Sequence, residues 1–141
     1  LDAVKRIAAQ ETAGGKPLVE NPHFAARMAQ VEIDLMAMET TNLRVISQVA
    51  AGHAPGVESS MLKIKGTELR QQINDLARRA VGPYAIPFVS EALDEGFNEQ
   101  PVGPEYAAPI AAQYFNNRKL TIYGGSNEVQ RTIIAKQVLG L

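Results

Sequence analysis

The sequence predicts an all-α protein, an up-down bundle of four to five helices. Three observations carry this. Apolar residues recur at helical intervals over two long stretches, no stretch alternates with the two-residue period of a strand, and glycine and proline cluster between the periodic segments.

The first stretch, "LDAVKRIAAQET", is already in helical stride at its first residue, with Leu1, Val4, Ile7 and Ala8 on one face. No cap residue or signal-peptide pattern precedes it. The expectation is a piece of a longer chain, residues 1–141 forming one domain of it; a trimmed N-terminus is the alternative. This helix should end near "AGGKP", with Gly14 and Gly15 as the C-cap and Pro17 barring continuation. Asn21 can cap the next helix and Pro22 suits its first position. From there Phe24, Met28, Val31, Leu35, Met38, Val45 and Val49 describe one long amphipathic helix, Pro22 to about Ala51. "GHAPG" breaks the pattern. A third helix from about Val57 to Val81 turns Leu62, Leu69, Ile73, Leu76 and Ala80 inward, and Gly82 with Pro83 stops it.

The segment from Gly82 to Pro104 is proline-rich and holds at most one helical turn, around "VSEALDEG". Connections of that length are uncommon in compact domains and are usually functional or disordered. Helix resumes in "EYAAPIAAQYFNNRKL", with Pro109 confined to its first turn or kinking it. In the last helix, "NEVQRTIIAKQVLG", Asn127 and Gln130 form an approximate capping box, Glu128 complements the positive helix end, and Gly140 is the stop.

Composition excludes several function classes. A net charge of -1 across 141 residues offers no electrostatic case for nucleic acid or an anionic membrane surface. No apolar run approaches the ~20 residues that span a bilayer. The absence of cysteine removes disulfides, thiolate metal sites and a thiol nucleophile, and fits a reducing, cytoplasmic setting. His23 and His53 stand thirty positions apart, without ligand partners nearby in the sequence. Glu32, Asp34 and Glu39 read as a solvated face of the long helix. Arg78 and Arg79 suit a helix C-terminus, and the methionines at positions 28, 36, 38 and 61 read as core filling. No nucleophile–base pair, Walker sequence or Rossmann fingerprint is present.

One short stretch raises a chemical question. In "IYGGSNEVQR" two glycines run into a helix start, where backbone can approach a ligand closely and unpaired N–H groups point outward. The same pattern is also the ordinary form of a tight helix–helix turn. Residue chemistry alone leaves both readings open.

Ile122 to Arg131 resembles, through ten consecutive positions, the segment of acyl-CoA dehydrogenases that leads into their last long helix. "NPHFAARMAQVEIDL" and "MLKIKGTELRQQINDLARRAVG" are also similar to the C-terminal bundle of that family. The resemblance covers the whole chain and corresponds to about the last third of a family member. "YFNNRKLTIYGG" is most similar to bacterial members described as the large subunit of a pimeloyl-CoA dehydrogenase.

The resemblance implies an FAD-dependent enzyme of fatty acid metabolism. It removes the α-proton of an acyl-CoA, passes the β-hydride to flavin, releases a trans-2-enoyl-CoA and hands electrons to an electron-transfer flavoprotein. It implies a tetramer or a heteromer, and no nucleic-acid or membrane partner. By the same resemblance Gly125, Ser126, Asn127 and Glu128 fall where the family contacts FAD, and Tyr123 and Gly124 where it lines the acyl-CoA site. Arg79 and Gly82 fall on a family run that reaches the FAD diphosphate of a neighbouring subunit, with Arg79 in place of a glutamine and Pro83 in place of a second glycine. Many members carry the catalytic glutamate directly after the Ile-Tyr pair, where this chain has Gly124. The implied base therefore lies outside these residues, on an earlier helix or on another subunit. The competing expectations are a catalytically silent or assembly subunit, and an unrelated bundle whose turn matches by chance.

Overall fold

The computed structural model describes residues 1–140, and five α-helices carry them. They are α1 (Asp2–Gln10), α2 (Pro22–Ala50), α3 (Glu58–Val81), α4 (Ala108–Asn116) and α5 (Asn127–Leu139). Short 3-10 turns stand at Leu18–Glu20, Gly82–Ala85, Glu91–Leu93 and Asn117–Thr121. The all-α expectation holds, and both long helices begin and end within a residue of the expected bounds.

The first connection differs from expectation. α1 ends at Gln10, and the chain turns through a small hairpin, β1 (Thr12–Ala13) against β2 (Lys16–Pro17), antiparallel with Thr12 opposite Pro17. Gly14 and Gly15 are not a helix cap. They stand at φ 61° and 78°, the paired left-handed values that a two-residue hairpin loop requires. Strands two residues long have no room to show alternation, so the hairpin left no periodic trace.

The chain divides into two compact units. The first comprises residues 1–30 and 71–118. Its buried apolar side chains are Val4, Ile7 and Ala8 of α1, Phe24 of α2, Leu76, Ala80 and Val81 of α3, then Ala85, Ala107, Ile110 and Ala111. Asn21 caps α2 as expected, its Oδ1 accepting the N–H groups of His23 and Phe24 at 3.1 Å each. Pro109 sits in the first turn of α4, where its missing N–H costs nothing. Two long-range bonds fasten the ends: Tyr106 Oη donates to Glu11 Oε1 at 2.6 Å, and Gln71 Nε2 to the Asn117 carbonyl at 3.1 Å.

The second unit comprises residues 31–70 and the chain from Lys119 onward. Fewer apolar side chains are buried here, chiefly Val31, Ile64 and Leu69. On α2 the side chains of Ile33, Met36, Leu43 and Ile46 are exposed and recur on one face. The reading of every methionine as core filling is therefore corrected. Met36 and Met61 face solvent at 62% and 47% exposure, while Met28 and Met38 are half-buried. The solvated-face reading holds for Glu39 alone, since Glu32 and Asp34 are half-buried and engaged. α5 ends as expected, with Gly140 at φ 71° and its N–H donated to the Lys136 carbonyl.

Candidate functional site

The 3-10 turn Asn117–Thr121 delivers the chain to Ile122, whose N–H donates to the Lys119 carbonyl at 2.9 Å. Tyr123 follows, half exposed. Gly124 and Gly125 then take consecutive left-handed conformations, φ 69° and 82°, which reverse the chain into α5. A side chain at Gly124 would point into open space, whereas one at Gly125 would meet Gln130 Nε2.

The cap of α5 is Ser126, one residue earlier than expected. Its φ and ψ are extended, -60° and 158°, and its Oγ accepts the Val129 N–H at 3.4 Å. The capping box is likewise corrected, because Gln130 folds back and donates to the Gly124 carbonyl at 3.2 Å. Asn127 is unavailable as a cap because its side chain is drawn inward: it is 4% exposed, and Lys63 Nζ donates to its Oδ1 at 2.8 Å. Lys63 also reaches the Thr121 carbonyl at 3.4 Å. Thr67 Oγ1 lies 3.3 Å from the same Asn127 oxygen and 2.9 Å from the Ile64 carbonyl. Its single proton is shared between them, so Lys63 is the principal donor.

Glu128 stands fully exposed on the first turn. Its own backbone N–H, then the Ser126 hydroxyl, hold its carboxyl below the usual carboxylate range, and Arg131 and Lys63 add to this. A carboxylate stabilised in its ionised form is a weak proton acceptor. Arg131 in turn donates to Glu68 Oε1 at 3.1 Å.

In the first unit, Arg78 and Arg79 end α3. Both bind Asp75, at 3.1 Å and 2.6 Å. Burial pushes the Asp75 carboxyl up, but the hydrogen bonds and charges of Arg79 and Arg78 outweigh it and hold it below its ordinary value. The Arg78 guanidinium also stands over the Tyr114 ring, 5.1 Å from its centroid, and Arg118 stands over the same ring at 4.5 Å. Arg78 Nε is buried without a hydrogen-bond partner. Gly82, at φ 67°, turns the chain out of α3. The irregular segment beyond it encloses a cavity of about 240 Å³, lined by Tyr84, Val89, Phe97 and Val102 together with Glu91 and Glu99.

Of the residues singled out in the sequence, Tyr123, Gly124, Gly125, Ser126, Asn127 and Glu128 thus share one turn of the second unit, while Arg79 and Gly82 belong to the first. Sequence reasoning missed Lys63 and Thr67, whose link to Asn127 spans 60 positions or more. Their one sequence signal is an i, i+4 spacing on α3, which places both on one face. It also missed Tyr114 as the platform for Arg78 and Arg118. Among the described residues no group of His, Cys, Asp or Glu is placed to hold a metal. No helix there is long and apolar enough to cross a membrane.

A five-helix chain with a double-glycine turn at the head of its last helix is the class of domain that comparison with known proteins then specifies. The profile of the acyl-CoA dehydrogenase C-terminal domain matches residues 1–139, and the chain belongs to the acyl-CoA dehydrogenase family. It is similar to the acyl-CoA dehydrogenase IpdE1 of Mycobacterium tuberculosis, 28% identical over 122 residues, which cover 86% of this chain and 28% of that protein. Among solved structures it is similar to the ChsE4-ChsE5 complex of Mycobacterium tuberculosis, at 26% identity and TM-score 0.72, covering 98% of this chain and 33% of the matched one. It shares its fold with PigA, solved as an FAD complex, at 18% identity and TM-score 0.74, covering 99% of this chain and 32% of that one. The chain therefore spans less than a third of the length of the curated relative it matches.

Proposed function

We propose that this chain is the C-terminal domain of an FAD-dependent acyl-CoA dehydrogenase that converts an acyl-CoA thioester to its trans-2-enoyl-CoA. The observation that carries the reading is the turn itself. Six residues that by the family resemblance fall at the flavin and thioester sites stand together at the head of one helix, in a turn whose two glycines take left-handed conformations. The turn fits the cofactor on its own terms. The space beside Gly124 is open, and α5 begins directly after it with its first N–H groups outside the helical ladder.

In this reading Gly125, Ser126, Asn127 and Glu128 hold the flavin, Tyr123 and Gly124 line the thioester end, and Arg79 with Gly82 serve the diphosphate of a neighbouring subunit. FAD, when bound, supplies the acceptor for the β-hydride. The electrons pass to an electron-transfer flavoprotein. Gly124 has no group to take the α-proton, and Glu128 is held as a weak base, so the catalytic base comes from outside these residues and the chain by itself is inactive. The exposed face of α2, carrying Ile33, Met36, Leu43 and Ile46, is covered by another subunit in a tetramer or heteromer of the cytoplasm.

A second reading is a catalytically silent subunit of a heteromeric enzyme. Two observations favour keeping it: the glycine in the base position, and a neighbour of 26% identity that was solved as a complex of two named proteins. One experiment separates the two readings. The full-length protein is purified with its flavin, mixed anaerobically with a panel of acyl-CoAs, and followed at the visible flavin band. Bleaching by one acyl-CoA establishes the dehydrogenase and names its substrate class. A flavin that stays oxidised with every acyl-CoA until a second subunit is added establishes the silent subunit.

A further inference from the structure

We propose that the cavity of the proline-rich segment is a binding site for a small organic cation, a quaternary or N-methylated ammonium. It stands apart from the flavin reading, because every wall of the cavity belongs to residues 84–108 of the first unit. The cavity holds about 240 Å³, room for one small head group. Tyr84 and Phe97 supply two aromatic rings, Val89 and Val102 an aliphatic wall, and Glu91 and Glu99 two carboxylates. Both rings are open to solvent, so a dissolved ligand can reach them. The Tyr84 ring is also held in place. Gly103, at φ 84°, has no Cβ where that ring packs, and a side chain there would collide with it.

The charge of the site has one sign. From Ala80 to Asn117 the chain carries five carboxylates, at Glu91, Asp94, Glu95, Glu99 and Glu105, and no Lys, Arg or His. Among the described residues neither Glu91 nor Glu99 forms an ion pair, and Glu91 accepts from the Ser90 hydroxyl at 3.3 Å. The head of α4, at Ala108, adds about +0.5 of a charge, which two carboxylates outweigh. An anion is therefore repelled and a cation attracted. A primary ammonium must find acceptors for three N–H bonds and give up tightly held water. An N-methylated ammonium needs fewer acceptors or none. It offers methyl groups to the aliphatic wall and its charge to the ring faces.

The test uses the full-length protein and three probes, read by calorimetric titration. They are choline, its uncharged isostere with a tert-butyl group in place of the trimethylammonium, and Nα-acetyl-lysine amide. The last stands for a side chain offered by a partner protein. Choline is expected to bind saturably, and the isostere at least about tenfold more weakly. Glu99→Gln and Phe97→Leu, both at exposed positions, should fold as the parent does and each weaken choline about threefold or more. Tyr84→Phe keeps the ring and should stay within about twofold of the parent. Absence of saturable choline binding overturns the proposal, as does equal affinity for choline and the isostere. Choline binding that neither wall variant moves lies elsewhere on the molecule and overturns it too. Tighter binding of the lysine derivative than of choline makes the cavity a socket for a partner's side chain, and the assignment falls. Should Phe97→Leu fail to fold, Glu99→Gln and the isostere decide.

Discussion

The two units of the chain are stabilised by different means. The first buries apolar side chains from α1, α3 and α4, and its ion pairs, Asp75 with Arg78 and Arg79, are local to one helix. The second buries few apolar groups and places its most specific contacts between polar ones: Lys63, Thr67 and Asn127, with Glu68 and Arg131 outside them. It also leaves an apolar face of α2 uncovered, along with Val129, Val138 and Leu139 of α5. Burial of apolar area is the larger and less directional source of stability, whereas a buried hydrogen bond adds less energy but selects one geometry. The contrast assigns stability to the first unit and placement to the second.

The largest effect expected is in the core of the first unit. Leu76, 4% exposed, replaced by alanine should cost about 2–5 kcal/mol in urea unfolding. The matching change at Leu43 of the second unit, 67% exposed, should stay within about 0.5 kcal/mol in the unassociated protein. Leu43→Glu should instead shift sedimentation toward smaller species, because a charge on that face opposes association. Equal losses at Leu76 and Leu43 would break the comparison.

Next in size is the polar tie. Asn127→Leu leaves the Lys63 ammonium facing an apolar group, and an unmatched donor of this kind costs about 1–3 kcal/mol. Lys63→Met in the same background should recover part of that loss, since removing both partners is milder than removing one. A double-mutant cycle on thermal unfolding reads the difference.

The glycine turn comes third. Gly124→Ala and Gly125→Ala each place a Cβ at positive φ, a strain of about 1–2 kcal/mol. Gly124 adds no collision, so its variant isolates the backbone term. At Gly125 the new carbon meets Gln130 Nε2 and disturbs its bond to the Gly124 carbonyl, so the second variant should be the less stable on melting.

How much of this was legible in the sequence follows the same division. The long helices were legible because their apolar residues recur for many turns, and Asn21, Pro22, Pro109 and Gly140 mark ends whose chemistry is local. The hairpin at Thr12–Pro17 was not, because each strand is two residues long. In the site, the turn was legible as a motif, but its cap was misplaced by one residue. Choosing between Ser126 and Asn127 depends on Lys63, which lies 64 positions from Asn127. Local chemistry ranks serine and asparagine as nearly equal caps. Only the fold, by supplying a donor inside the second unit, draws Asn127 away from the helix end. The exposed methionines teach the same point: periodicity places Met36 on a helix face, but what covers that face is a tertiary fact.

The smallest effect is electrostatic, and it separates the two units by pH. Asp75 is partly buried, which alone would raise its pKa, but Arg79 and Arg78 lower it in the folded state. The unfolded chain, with a carboxyl near 3.9, then binds more protons than the folded one as pH falls. The stabilisation is therefore complete above about pH 4 and disappears as pH drops through the folded value. Because the Asp75 side chain is 32% exposed, Asp75→Asn should cost no more than about 1 kcal/mol at neutral pH, and less in high salt. Glu128 titrates with the same sign in the second unit, through its own N–H and Ser126. Acid unfolding followed in Asp75→Asn and in Glu128→Gln should thus flatten the curve separately in each. If Asp75→Asn alone abolished the acid sensitivity, the fully exposed Glu128 would contribute nothing, and the ionised carboxylate at the head of α5 would be a feature of solvation with no part in holding the turn.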